Sequence, residues 1–285
     1  MRIRNALAAS GRFSSRFPFT AIALVALCSP SIGLAAGVAH VEKHGNDNGA
    51  CDRAAPCLTI QHAINLVGKS GRVLVGPGRY VETLNIEFDG LSLVSTRGRT
   101  TTQIDITELP FSGQPTIGGQ IIRVNADGVT IGQKGRGFTL KHRLSESGIV
   151  GYGDRLRVED NLINLLDGNF GIALFGDNLT VRYNDIHAVQ RCTGIHLARP
   201  VPNSAGGRNW TVTDNSVSNC MESFFFRSTI SNHRLRNENN SAHNTGYAFY
   251  VFNSVIVDGK EIANPGRSGD RHTNLVATGF DGQAA

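Results

Sequence analysis

Long apolar runs are missing from this chain after residue 36, so no later stretch is long enough to cross a bilayer as a helix. Acidic clusters are scarce too: no group of aspartates suits a polygalacturonase-like site or a calcium site. Threonine-x-threonine columns are absent, which excludes an ice-binding face. Of five cysteines, four lie beyond residue 36, and their spacings match no zinc pattern. Excess charge of either sign disappears once the N-terminus is set aside. Four of the 28 basic residues and none of the 23 acidic ones fall in residues 1–36, leaving 24 against 23. A net of +1 gives no argument for nucleic acid or an anionic surface.

What is present begins with a basic lead-in (Arg2, Arg4, Arg12, Arg16), an apolar run from Phe17 to Leu27, and small residues at Gly33, Ala35 and Ala36. This order predicts a secretory signal peptide over residues 1–36, with residues 37–285 as a single exported domain, periplasmic or extracellular. The competing reading, a membrane anchor, is disfavoured by the short run. Bulky Leu27 before Cys28 disfavours lipid attachment. An even number of cysteines in an exported chain predicts two disulfides. Cys51 and Cys57 bracket the entry to the domain. Cys192 and Cys220 fall three and four residues before Ile195 and Phe224, nearly one column on neighbouring rungs.

The fold is written in a repeat. Segments ending in Asn161, Asn184, Asn215 and Asn239 align at steps of 23, 31 and 24 residues. A second column, Gly148-Ile149, Gly171-Ile172, Gly194-Ile195, Ser223-Phe224 and Gly246-Tyr247, lengthens between the same rungs. Each period holds three short alternating runs broken by Gly, Asn or Asp. This predicts an all-β solenoid of three parallel sheets with about 23 residues per rung. The asparagines are expected at a left-handed turn, stacking so that their amides bond along the coil. An amphipathic stretch, Thr59–Val67, predicts a short N-terminal capping helix with Ile60, Ala63, Ile64 and Val67 on its inner face. The polar stretch from about 259 reads as a tail or a loose cap.

The run from Cys51 through PCLTIQHAI, then Val73-Leu-Val-Gly-Pro-Gly-Arg-Tyr80, Glu82-Thr-Leu-Asn-Ile86 and the later GVTI and GFTL segments, resembles the pectin-lyase-like right-handed parallel β-helix proteins. The resemblance spans nearly all of residues 37–285. It implies that the asparagines mark the turn between the second and third sheets, and that the Gly-Ile column opens the first sheet, whose outer face commonly binds polysaccharide. Ile149, Ile172, Ile195, Phe224 and Tyr247 then point inward. Outward columns read Val150, Ala173, His196, Phe225, Ala248 and Tyr152, Phe175, Ala198, Arg227, Tyr250.

On that face Tyr152, Phe175 and Phe225, with Glu222 nearby, are candidate substrate-binding residues, because aromatic rings stack on the apolar faces of sugars. Alternatively, loop or tail covers these aromatics and no ligand binds. The scarcity of carboxylates argues against a hydrolase using Asp167 and Glu222. β-Elimination from a uronate fits better: Arg227 or Arg199 would neutralise the carboxylate, His196 would act as base and Tyr250 as acid. Epimerisation would start the same way. A surface histidine without a role remains the plain alternative for His196, and for His187 and His243 at loop positions. The sequence thus predicts a polysaccharide-active protein, a lyase or epimerase on a uronate polymer or a non-catalytic glycan-binding protein. No metal, cofactor or nucleic-acid partner is expected.

Overall fold

The computed structural model describes residues 37–109, 119–142, 147–165, 169–189, 192–198, 208–227, 235–251, 254–257, 260–261 and 271–278. The expected leader lies outside them. The described chain winds as a right-handed parallel β-helix with three sheets. In coil order, the first sheet includes Gln120–Asn125, Ser147–Tyr152, Phe170–Phe175, Thr193–Ala198, Glu222–Phe226 and Tyr247–Val251. The second includes Arg157–Glu159, Thr180–Arg182, Trp210–Thr213 and Leu235–Glu238, and the third Leu162–Leu165, Asp185–Ala188, Ser216–Ser218 and Ser241–His243.

The alternation in the sequence becomes an interior of stacked columns. Ile149, Ile172, Ile195 and Phe224 are fully buried in the first sheet, as are Val181 and Val212 in the second and Ile163, Ile186 and Val217 in the third. Burying each aliphatic side chain stabilises the coil by about 1.5–3 kcal/mol. At the C-terminal end the register corrects the expected column. Glu222 pairs with Tyr247 and Phe224 with Phe249, so Phe249, stacked 4.7 Å from Phe224, is the inward residue. Tyr247 is half-buried. The Gly246-Tyr247 pair imitates the Gly-Ile signature two residues too early. This shift also moves Tyr250 beside Phe225, into the column of His196 rather than that of Tyr152.

The asparagine turn lies between the second and third sheets. Asn184 Oδ1 accepts from both the backbone N–H and Nδ2 of Asn161, at 3.0 and 3.2 Å. Asn215 serves Asn184 in the same way. The fourth member is Asn240, not Asn239: its Oδ1 accepts both donors of Asn215. Nor do the ladder asparagines take the left-handed backbone. That falls to the residue before each: Asp160, Tyr183, Asp214 and Asn239 have φ between 54° and 60°. Asn239 extends a separate outer row, donating to Asp214 and accepting from Asn274.

The capping helix spans Ile60–Val67. Thr59 caps it through its hydroxyl, and the Glu82 carboxylate accepts the Ile60 and Gln61 N–H groups at 2.9 Å each. Ile60, Ala63 and Ile64 are buried, and Val67 packs against the core. Both disulfides form as expected, Cys51–Cys57 and Cys192–Cys220, each with 4.6 Å between Cα atoms. The polar stretch after 259 contributes more than a tail. Arg271–Thr273 and Val276–Thr278 pair in parallel with the second and third sheets. Ladder pairing uses backbone groups, so polar composition does not oppose it. The first sheet ends differently, with antiparallel Ser254–Val257 and Lys260–Glu261.

Candidate functional site

The outer face of the first sheet gathers aromatic side chains because parallel register repeats the same positions rung after rung. Tyr152 pairs with Phe175, and their rings stack at 4.9 Å with an 11° interplanar angle. Tyr152 is 41% exposed, while the floor beside it, Val150, Ala173 and Ala198, is buried. Ala173 pairs with His196, and His196 with Phe225. The imidazole is ringed by Phe170 at 5.1 Å, Phe175 at 5.8 Å and Phe225 at 4.8 Å.

This enclosure sets the chemistry of His196. Burial, helped by the positive charge of Arg227, pushes its pKa down to about 4. The ring is therefore neutral near pH 7. Its Nε2 is buried and has no hydrogen-bond partner among the described residues. Arg227 donates its backbone N–H to the Leu197 carbonyl and is exposed at the end of the neighbouring strand.

The structure brings Tyr152, Phe175, His196 and Phe225 into one continuous row. Arg227 sits one rung from His196, but Tyr250 lies two rungs away, roughly 10 Å along the sheet. Glu222 is on a strand, where it accepts from Thr193 Oγ1 at 2.9 Å. On the four first-sheet strands Ser147–Tyr152, Phe170–Phe175, Thr193–Ala198 and Glu222–Phe226 it is the one carboxylate. Arg199 and Asp167 lie outside the described residues. His187 and His243 also stand on strands, those of the third sheet, where their Nδ1 atoms bond to Ser218 and Thr278.

Sequence reading missed two features of the site. Phe170, one strand position before Gly171, supplies a wall of the His196 enclosure. The second is a row of carboxylates along the turn leaving this face. Asp89, Asp127 and Asp154 accept in succession the backbone N–H of Asp127, Asp154 and Asp177 through Oδ1, and Asp177 accepts that of Arg208. Its signal was an aspartate placed before a left-handed residue: Gly90, Gly128, Arg155 and Asn178 all have positive φ. Asp154 and Asp177 follow Tyr152 and Phe175 by two residues each.

No family model matches the chain, and no curated protein matches it in sequence. Solved structures match it in fold. A rhamnogalacturonan lyase superposes over 86% of this chain with a TM-score of 0.50 at 12% identity, and the chain spans 62% of that protein's length. A pectin methylesterase from Erwinia chrysanthemi matches over 86% of this chain and 91% of its own, with a TM-score of 0.46 at 16% identity. A pectin methylesterase from carrot gives 87%, 83%, 0.40 and 14% for the same quantities. The likeness is one of fold.

Proposed function

We propose that this pectin-lyase-like β-helix is an exported polysaccharide-binding protein whose glycan lies along the first sheet and stacks on Tyr152 and Phe175. The observation that carries this reading is the parallel, partly exposed Tyr152–Phe175 pair, continued by His196 and Phe225 at the strand repeat. Rings spaced by the sheet offer successive apolar surfaces to successive sugars of an extended chain. The two disulfides and the basic, apolar leader support export. The rhamnogalacturonan lyase that shares the fold favours a rhamnogalacturonan-type polysaccharide as ligand, by analogy of fold alone.

A second reading, β-elimination or epimerisation of a uronate, is favoured by one observation: His196 is held neutral beside Arg227, the protonation state a base requires. Against it stand the burial of Nε2 and the roughly 10 Å between the rungs of His196 and Tyr250. In this reading Arg227 or Arg199 pairs with the uronate carboxylate and Tyr250 donates the leaving-group proton.

Both readings are tested by mixing the protein with pectins, alginates and neutral wall polysaccharides while following binding and the ultraviolet absorbance of a newly formed unsaturated sugar. Binding predicts that Tyr152→Ala and Phe175→Ala each weaken affinity roughly three- to tenfold, with no new absorbance. An absorbance rise that His196→Ala abolishes, with binding retained, would replace it with the lyase reading.

A further inference from the structure

The capping end of the coil, remote in sequence from the aromatic face, holds a cluster that the proposed function does not use. Cys51 Sγ, Cys57 Sγ and a ring nitrogen of His62 all lie within 4.8 Å of one another. Both cysteines are fully buried and His62 is half-buried. The backbone N–H of His62 bonds to Thr59 Oγ1, but its ring has no hydrogen-bond partner among the described residues. Asp47, which interacts electrostatically with His62, is held by Thr59 and the Leu58 N–H. A rigid frame fixes all three ligand-bearing residues. His40 and Cys57 bond through their backbones, Cys51 accepts from His40, and the helix carrying His62 is anchored by Thr59 and Glu82.

The geometry points to a thiol-state zinc site in which Cys51, Cys57 and His62 bind one Zn²⁺ when the disulfide is reduced. A tetrahedral zinc ion takes thiolates at about 2.3 Å and imidazole at about 2.0–2.1 Å, which places ligand atoms within the separation seen here. The chemistry balances. A dithiol gives two electrons and two protons to the Cys51–Cys57 bond and leaves as its cyclic disulfide. Zn²⁺ then displaces the two thiol protons. Two thiolates and a neutral imidazole cancel the charge of the ion, so the occupied site is neutral, as a buried position requires. Water takes the fourth position. The capping end thereby has two interchangeable closures, a covalent one under oxidising conditions and a metal-bound one before oxidation or after reduction. Binding to the folded thiol form also stabilises it. No such role falls to Cys192–Cys220, which has no histidine ligand grouped with it among the described residues.

The test is a Co²⁺ titration of the purified protein after reduction by a trialkylphosphine, which takes oxygen from water as it becomes the phosphine oxide. One equivalent should give tetrahedral bands with thiolate-to-cobalt charge transfer, displaced by Zn²⁺. His62→Ala should weaken the metal more than about tenfold, and the paired Cys192→Ser, Cys220→Ser variant should leave it unchanged. Zn²⁺ should raise the Tm of the reduced protein and leave that of the oxidised protein unaltered. Absence of both the thiolate band and the Tm rise overturns the proposal. So does a band that survives His62→Ala intact, or one lost in the Cys192→Ser, Cys220→Ser variant.

Discussion

Two turns of the coil meet the same requirement with different chemistry. Between the second and third sheets, buried amides of Asn161, Asn184, Asn215 and Asn240 link the rungs. Between the first and second, carboxylates of Asp89, Asp127, Asp154 and Asp177 do so at the surface. An amide accepts and donates, so each asparagine can satisfy its neighbours on both sides without water. Asn184 accepts from Asn161 and donates to Asn215 and to the carbonyls of Val158 and Arg182. A carboxylate only accepts. Its charge and spare lone pairs need solvent or a cation, which Asp89 finds in Lys69 and Asp127 in Arg155. Amides therefore form the inner turn and carboxylates the outer one.

The largest effect expected from breaking this contrast is in the inner ladder. Asn184→Leu strands the buried N–H of Asn161 and removes the amide donors to the Val158 carbonyl and Asn215 Oδ1, at about 1–3 kcal/mol for each group. A loss of about 3 kcal/mol or more is expected, visible as a clear fall in the midpoint of denaturant unfolding. Opening the Cys192–Cys220 link by paired serine substitution comes next, at about 2–4 kcal/mol by the same measurement. Asp154→Ala in the outer ladder removes one acceptor, that for the Asp177 N–H, and the freed donor can turn to water. A loss of about 1 kcal/mol is expected.

The smallest effect sharpens the comparison through pH. The Asp127 N–H, with Lys69, holds the Asp89 carboxyl below its ordinary value of 3.8. Its folded pKa is depressed, so its contribution is complete above the unfolded value and is lost as pH falls through the folded one. Asp89→Asn should flatten the acid limb of the stability curve below pH 4 slightly, whereas Asn184→Leu should shift the whole curve with its shape unchanged. Matching pH profiles for the two variants would remove the distinction between the ladders.

The fold was legible because its period is carried by independent columns. Ile149, Ile172 and Ile195 repeat with the same spacing as the turns, and stacking leaves few alternatives. Legibility failed where one residue type sat at adjacent positions or a rung changed length. Asn239 and Asn240 are equivalent in sequence, and only hydrogen-bond register assigns Asn240 to the interior. The longer last rung displaced Tyr250 by a column. The aspartate row escaped notice because exposed Asp before Gly, Arg or Asn looks like ordinary turn composition. At the site, alternation foretold which aromatics face outward. It carried no information on how tightly Phe170, Phe175 and Phe225 would close on His196, and that closure determines its protonation.

The antiparallel pair at the C-terminal end of the first sheet has a consequence for assembly. A parallel solenoid presents at each end a template that another copy could extend, and end-to-end growth would yield filaments. Here Ser254–Val257 reverses direction against Tyr247–Val251, and the two-residue strand Lys260–Glu261 closes the edge with charged residues. An incoming copy would meet only a two-residue edge strand on this sheet, while the other two sheets end on parallel strands of three residues. Among the described residues the first sheet thus ends on its shortest strand, which offers little backbone for another strand to pair with.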